Sequence, residues 1–178
     1  MSWDAYYLKV CDAIAENSKC LSRKIGAIIV RDKSIISTGY NGPPRGVLPC
    51  NFRHLYDDKL SKEYQKVLGY YPNTPVERCP RQILGFKSGD GLDWCVAGHA
   101  ERNALINAAR HGIETKGAKM YMNCPTPCTP CLVEIINAGI EEIVVIHEHY
   151  YDVGAKYLLK QSGLKWRGYE LPLDMSLV

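Results

Sequence analysis

The sequence predicts a three-layer α/β fold in which helices flank a five-stranded, mostly parallel sheet. Apolar residues recur at helical spacing in some segments and form short β-branched runs in others. From residue 99 onward, helical and strand patterns alternate, and strand–helix–strand crossings place neighbouring strands parallel. The 178 residues suffice for one substantial core, so we expect a single domain over residues 1–178.

The first forty residues predict a helix followed by a hairpin. Apolar residues from Trp3 to Ile14 recur at helical spacing, which predicts a helix over 3–18. Two short apolar runs, at 25–30 and 34–38, predict strands. The polar residues between them predict the turn of a hairpin.

Residues 47–98 form the least regular segment. A helix is predicted over 57–68, but prolines and glycines interrupt the rest. A structureless segment of this length is uncommon in a compact domain unless it is functional or held in place. We therefore expect a long irregular insertion between the second strand and the helix at residue 99.

Regular patterns resume after the insertion. An alanine-rich stretch before Gly112 and an apolar stretch from Pro127 to Gly139 have the residues that begin and end helices. Short apolar runs lie between the helical stretches. The predicted helices cover 99–109, 128–137 and 153–161, and the predicted strands cover 118–122, 142–146 and 164–169.

Composition limits the kinds of partner. The net charge of +3 is small and does not indicate a broad nucleic-acid surface. The N-terminus has no signal-peptide pattern, and no apolar stretch approaches the ~20 residues that span a bilayer. Eight cysteines without a sign of secretion indicate metal binding in a reducing compartment. We expect a cytoplasmic protein that binds neither membrane nor nucleic acid.

One group of residues indicates a metal-dependent active site. His99 and Glu101 lie at the start of one predicted helix, and Cys128 and Cys131 lie at the start of another. The two cysteines share a helix face, and helix N-termini stabilise thiolates. Three ligands, His99, Cys128 and Cys131, leave one tetrahedral position open, as in catalytic zinc sites. Glu101 is then the general acid and base. A structural zinc knuckle or a redox pair would explain the cysteines but not His99 and Glu101.

The motifs carry a family resemblance. His99-x-Glu101 followed by Pro127-Cys128-x-x-Cys131 is the signature of zinc-dependent nucleobase deaminases. Together with residues 24–27, 39–46 and 99–104, it resembles the deoxycytidylate (dCMP) deaminases. The resemblance implies a cytidine-deaminase-like fold and hydrolysis of dCMP to dUMP and ammonia by zinc-bound hydroxide, supplying dUMP for thymidylate synthesis.

The resemblance also implies substrate contacts. Asn41 would bind the deoxyribose, the backbone around Ala100 and Thr126 would read the cytosine edge, and Tyr151 or Tyr150 would pack on the base. The phosphate requires fixed cations and a hydroxyl donor. The candidates are Lys24, Arg23, Arg110 and Ser22.

Family members are also regulated and assembled in a common way. The resemblance implies activation by dCTP with Mg²⁺, inhibition by dTTP and a homo-hexamer. The glycine-rich loop is the implied effector site, because glycines let backbone approach a triphosphate closely. Its residues are Gly39, Tyr40, Asn41, Gly42, Pro44 and Gly46.

Four further cysteines, Cys20, Cys50, Cys79 and Cys95, lie within or near the irregular insertion. A second, structural zinc bound by all four would hold the insertion in place, and some family members carry a second zinc near three of these positions. His54 is a rival to Cys79 as the fourth ligand. The alternative is four unrelated buried thiols.

Three readings of the whole chain remain open at this point. The first is a dCMP deaminase, and the second is a tRNA adenosine deaminase of the same superfamily, which would favour a wider basic face. The third is a non-catalytic zinc-binding interaction module. Cys124 is left out of the metal site, because Cys128 and Cys131 already fit the helix geometry.

Overall fold

The computed structural model describes residues 1–87 and 89–169, which form seven α-helices and five strands in these ranges. The helices are α1 Trp3–Ala15, α2 Cys50–Arg53, α3 Asp58–Leu68, α4 Pro80–Ile83, α5 Ala100–Arg110, α6 Thr129–Asn137 and α7 Val153–Gln161. The strands are β1 Gly26–Arg31, β2 Ser34–Tyr40, β3 Lys119–Met122, β4 Glu142–Val145 and β5 Lys165–Gly168, with a 3₁₀ turn at Leu92–Trp94.

The chain divides into two compact units. The first contains Met1–Asn17, Ile25–Tyr40 and the described chain from His99 onward. The second contains Ser18–Lys24 and Asn41–Gly98, and so includes the predicted insertion. The single-domain organisation stays a prediction.

The sheet of the first unit has the strand order β2-β1-β3-β4-β5. The predicted five strands and flanking helices are confirmed, but the prediction of a mostly parallel sheet needs correction. β1 pairs antiparallel with both β2 and β3, whereas β4 pairs parallel with both β3 and β5. The sheet is therefore mixed, because helical crossovers join only its last three strands.

Alternation along the strands divides the core into two layers. Ala27 and Ile29 of β1 face the cluster that contains the buried residues of α5, α6 and α7. Ile28 and Val30 face Tyr7, Leu8 and Cys11 of α1 instead. Because successive strand residues point to opposite faces, one sheet separates α1 from the other three helices and makes three layers.

The hairpin between β1 and β2 turns through Asp32 and Lys33. Both residues have positive φ, 50° and 61°, which matches the twist of a two-residue hairpin turn. The Tyr7 hydroxyl donates to the Lys33 carbonyl at 3.0 Å, and the Lys33 ammonium lies 5.8 Å from the centroid of the Trp3 ring. These contacts hold the turn against α1.

β2 lies unusually close to α5. A Cβ at Gly39 would collide with the backbone of Ala100 and Ala104. The Ser37 hydroxyl donates to the Ala104 carbonyl at 2.7 Å, and the Asn103 amide donates to the Tyr40 carbonyl at 2.7 Å. The start of α5 is thereby fixed against an edge strand.

The second unit has its own small core of Leu60, Tyr64 and Ile83. The predicted helix at 57–68 is confirmed as α3, whose first turn is capped by the Asp57 carboxylate accepting from the Leu60 amide at 3.0 Å. Arg53 donates to Asp57 at 2.8 Å and to the Trp94 carbonyl at 2.7 Å. These bonds tie distant parts of the irregular segment together.

In the described ranges, no helix is both long enough and apolar enough to cross a bilayer.

Candidate active site

The predicted metal ligands lie at the N-termini of two helices of the first unit. His99 occupies the N-cap position of α5, and Cys128 occupies the N-cap position of α6, with Cys131 in the first turn of that helix. His99 and Cys128 both have extended backbone, so the chain changes direction sharply where each helix begins. The two helix ends thus bring three donors from distant parts of the sequence together.

The donor atoms of these three residues lie within 4.8 Å of one another. His99 Nδ1 lies 3.3 Å from Cys131 Sγ and 3.5 Å from Cys128 Sγ. One imidazole nitrogen and two sulfurs are donors that zinc prefers, and three protein ligands match its catalytic sites. Within residues 1–87 and 89–169 no other group of at least three such side chains meets this spacing. Cys124 is buried in the apolar cluster of α5 and α6.

The local electrostatics favour thiolate at Cys128. Hydrogen bonds from the Cys131 and His99 side chains hold the Cys128 pKa well below its ordinary value, although burial opposes this. The same contact with Cys128, together with burial, raises the Cys131 pKa. The hydrogen bond with Cys128 raises the His99 pKa. Metal binding requires both thiolates and a neutral imidazole, so it would displace protons from this group.

Glu101 lies in the first turn of α5 and only 5% of its surface is exposed. Its charge contributes to raising the pKa of both His99 and Cys131, which places the carboxylate beside the metal group. A carboxylate that is near the metal donors but outside their 4.8 Å group can exchange protons with a reactant bound there.

Thr126 and Ala100 border the same group in the chain, and both are buried. The Thr126 hydroxyl oxygen is fully buried and has no hydrogen-bond partner among the described atoms. Buried polar groups are nearly always satisfied, so this hydroxyl lacks the partner that a buried hydroxyl usually has. The sequence assigned Thr126 a backbone role only, and its side chain is a group that sequence analysis missed.

Tyr150 and Tyr151, the two aromatic candidates, have different environments. Tyr150 packs against Trp166 with ring centroids 5.2 Å apart and joins the core. Tyr151 has 42% of its surface exposed. Of the two, Tyr151 is the ring that is free of the core.

Arg110 is not brought to the metal group. It is exposed in the last turn of α5, nine positions after Glu101, which is about 13 Å along a helix. Arg102, which the sequence analysis did not single out, is nearer. It pairs with Glu134 of α6 at 2.8 Å, and its charge lowers the pKa of both His99 and Cys131.

The remaining substrate candidates belong to the second unit. Asn41 is 7% exposed, and its amide is held by the Ser18 hydroxyl at 2.8 Å and by the Arg23 carbonyl at 2.8 Å. These bonds fix the orientation of the amide. The predicted contacts of Asn41, Ser22 and Lys24 with substrate stay predictions.

The glycine-rich loop has structural features of its own. Gly39 belongs to β2, where close packing against α5 already requires a residue without Cβ. Gly42 exchanges two backbone hydrogen bonds with Gly98, at 3.1 and 2.8 Å. Gly46 has a φ of 79° and no atom within 4 Å of the place a Cβ would take. The predicted effector contacts of this loop, including Tyr40 and Pro44, stay predictions.

The four predicted ligands of a second zinc belong to the second unit, where no group of three metal donors among the described residues meets the spacing of the His99 group. Burial, with contributions from the neighbouring thiols of Cys79, Cys95 and Cys20, raises the pKa of Cys50 to about 11. Cys50 and Cys79 also contribute to raising the pKa of Tyr64. The His54 Nε2 lies 3.1 Å from the Thr74 carbonyl, while its buried Nδ1 has no partner among the described atoms. Both predicted alternatives for the fourth ligand, Cys79 and His54, therefore remain.

Comparison with known proteins gives a consistent result. Residues 1–147 match the family model described as the cytidine and deoxycytidylate deaminase zinc-binding region. The chain is 33% identical over 172 residues to a deoxycytidylate deaminase of Schizosaccharomyces pombe, covering 96% of this chain and 45% of the relative. It is 33% identical over 147 residues to the deoxycytidylate deaminase of Mycobacterium phage D29, covering 80% and 92% of the two chains.

Among solved structures, the dCMP deaminase of cyanophage S-TIM5 in complex with dCMP and dUMP has the same fold. Its TM-score is 0.62 at 22% identity, with 93% of this chain and 95% of that chain covered. An α/β sheet with a His-Cys-Cys zinc site at two helix N-termini defines the class of zinc-dependent deaminases. The chain belongs to the cytidine and deoxycytidylate deaminase family. It spans less than half the length of the fission yeast relative.

Proposed function

We propose that this protein hydrolyses dCMP to dUMP and ammonia. The observation that carries the proposal is the convergence of His99, Cys128 and Cys131 beside the buried carboxylate of Glu101. The names of the relatives and the dCMP and dUMP bound to the cyanophage enzyme support this substrate.

His99, Cys128 and Cys131 would hold the zinc. When bound, zinc lowers the pKa of coordinated water toward ~7, which makes a nucleophile available at neutral pH. Water adds to C4 of the cytosine, and ammonia leaves from the same carbon. Glu101 takes one proton from the water and passes it to the ring nitrogen N3. It then takes the second proton from the hydroxyl group on C4 and supplies it to the departing amine. Water and dCMP thus become dUMP and ammonia without any other reactant.

Other side chains would bind the nucleotide. The unpartnered Thr126 hydroxyl and the backbone at Ala100 would read the polar edge of the base, and Tyr151 would pack on its face. Asn41 would bind the deoxyribose. Lys24, Arg23 and Ser22 are the phosphate candidates; Arg110 is the weaker one, because it lies at the far end of α5.

An ammonia-release assay on zinc-loaded protein tests the proposal. We expect turnover of dCMP to exceed that of cytidine and of a tRNA anticodon stem-loop under the same conditions. A preference for the stem-loop would support tRNA adenosine deamination instead. Release of ammonia from none of the three would support a non-catalytic zinc-binding module.

Regulation and assembly are part of the proposal. dCTP with Mg²⁺ is expected to shift the dCMP saturation curve to lower concentration, and dTTP to shift it to higher concentration. Sedimentation should then report a homo-hexamer. A cytoplasmic location is also proposed, because a chain with clustered cysteine and histidine favours metal binding in a reducing compartment.

A second, structural zinc in the second unit is also proposed. The contributions of Cys20, Cys79 and Cys95 to the raised pKa of Cys50 support it, because they indicate that the other three thiols lie near Cys50. Metal analysis of fully loaded protein should give two zinc ions per chain. Cys79→Ser should remove one of them if Cys79 is the fourth ligand, and His54→Gln should do so if the ring is. One zinc per chain in the unaltered protein would contradict the second site.

A further inference from the structure

Asp152 lies where two helices begin. As the N-cap of α7, it accepts from the Ala155 amide at 2.7 Å through Oδ1. The same carboxylate accepts from the Thr129 amide at 3.2 Å through Oδ2. The Thr129 hydroxyl makes a further, short hydrogen bond to Oδ1. One side chain therefore binds the first turns of both α6 and α7.

The start of α6 needs such an external acceptor. A helix N-terminus leaves backbone N–H groups without intrahelical partners, and the N-cap side chain usually satisfies one of them. Here the N-cap is Cys128, whose sulfur lies in the metal group. Asp152 supplies the missing acceptor from another helix.

The surroundings of Asp152 favour its ionised form and leave room for the contact with Thr129. Although burial opposes ionisation, the hydrogen bonds from Thr129 and the backbone amides hold the pKa of Asp152 below its ordinary value. A negative charge between two helix N-termini is favoured by both helix dipoles. A Cβ at Gly154 would collide with the Thr129 side chain, so glycine at that position permits the close approach of the two helices.

We propose that Asp152 is a positioning residue that fixes the metal-binding end of α6 and the aromatic segment before α7 relative to each other. Through Thr129 it holds the backbone that immediately follows Cys128. Through its own backbone it holds Tyr151, the neighbouring residue, which is exposed and outside the core. The part of the inference that concerns Tyr151 rests on the proposed function, whereas the part that concerns Cys128 rests only on the metal site.

The test compares zinc release with nucleotide binding in matched variants. Asp152→Ala should release zinc to a chelator about 10-fold faster, as expected when a residue that orients metal ligands is lost, and should raise the KM for dCMP. Thr129→Val should do the same to a smaller extent. Adding it to Asp152→Ala should have little further effect, because both changes break one contact.

Conservative and structural controls accompany these variants. Thr129→Ser keeps the hydroxyl donor, so it should keep most of the zinc retention. Asp152→Asn keeps one of the two acceptor oxygens, so it should keep only part of it. Ser2→Ala removes the N-cap bond of α1, where the Ser2 hydroxyl accepts from the Ala5 amide at 3.2 Å. It should lower the Tm without changing zinc release.

The outcomes are distinct. If Asp152→Ala lowers the Tm as Ser2→Ala does but leaves zinc release and KM unchanged, Asp152 is an ordinary helix cap and the proposal is wrong. If Asp152→Ala does not fold, the comparison of Thr129→Val with Thr129→Ser decides the question. If dCMP proves not to be the substrate, the zinc-release measurements still test the contact with α6.

Discussion

Glu101 and the three metal donors lie in the first turns of α5 and α6 or directly before them. The local backbone at each helix N-terminus directs the donor side chains toward one another. Glu101 lies two residues after His99, in the first turn of α5, and only 5% of its surface is exposed. Its burial beside the metal donors suits a group that must hold and release protons.

The first prediction concerns Glu101. Glu101→Gln should lower kcat for dCMP by at least about 100-fold, because the amide cannot transfer protons while its size is unchanged. Zinc content should stay at the level of the unaltered protein, since Glu101 is outside the donor group. Metal analysis and ammonia release on the same preparation check both statements. Substantial turnover by this variant would contradict the general acid and base role.

Residue-level prediction from sequence succeeds where chemistry depends on spacing. The positions of His99, Cys128 and Cys131 follow from motif and helix period, and the structure brings their donors together. It fails where a contact depends on the folding of distant segments. The unpartnered hydroxyl of Thr126 and the hydrogen bonds between Asp152 and Thr129 depend on how loops and helices pack together. No local sequence pattern predicts them.

At the scale of elements, helix and strand positions agree closely with the sequence patterns. The predicted helices at 99–109 and 128–137 begin one residue later in the structure, because His99 and Cys128 are N-caps with extended backbone. The direction of strands was less predictable. Only β3, β4 and β5 are joined by consecutive helical crossovers. β2, the irregular segment and α5 separate β1 from β3 in the chain, so the local sequence pattern does not predict their antiparallel pairing.

The second prediction concerns the packing of β2 on α5. Gly39→Ala should lower the free energy of unfolding by about 1–3 kcal/mol, the usual cost of overpacking. It should also lower kcat, because the added methyl meets the backbone of Ala100 and Ala104 at the start of the helix that carries Glu101. Thermal unfolding and dCMP turnover measure the two effects.

Gly112→Ala is the matched control for this prediction. Gly112 has a φ of 65° and open space where a Cβ would lie, so alanine there meets only a backbone cost of about 1–2 kcal/mol. Stability should fall while kcat is retained. Equal losses of kcat in the two variants would show that the close packing of β2 has no special role in placing Glu101.

At the scale of the whole molecule, a charge network ties α1 to the far strands. Arg167 of β5 donates to Asp4 of α1 at 2.8 Å and to Glu142 of β4 at 2.7 Å. The Tyr121 hydroxyl also donates to Asp4 at 2.8 Å, and Lys119 pairs with Glu142 at 2.6 Å. Burial opposes ionisation of both carboxyl groups, but these partners outweigh it and lower the pKa of each.

The third prediction follows from the sign of these shifts. A carboxyl group whose pKa is lower in the folded than in the unfolded state stabilises the fold above its unfolded pKa, which is 3.8 for Asp4 and 4.5 for Glu142. That stability is lost as the pH falls from about 5 through the lower folded-state pKa values. Urea unfolding across this range should therefore show a decline in the free energy of unfolding.

A substitution identifies the origin of that decline. Arg167→Gln should lower stability at pH 7 by about 1–3 kcal/mol through lost charged hydrogen bonds, and should flatten the decline below pH 5. Arg31→Gln is the control, because Arg31 pairs with Glu114 at 3.9 Å on an exposed surface, where such pairs contribute little. An unchanged acid decline in Arg167→Gln would rule out this network as its source.

The two faces of the sheet have a practical consequence. The acid-sensitive network is on the side of α1, whereas the metal donors begin the helices that pack against the other side. Tolerance of low pH and catalytic output are therefore separately adjustable properties. An engineer could replace Asp4, Glu142 and Arg167 together with neutral, well-packed side chains to obtain an acid-resistant variant, and could alter residues around the metal donors without affecting that gain.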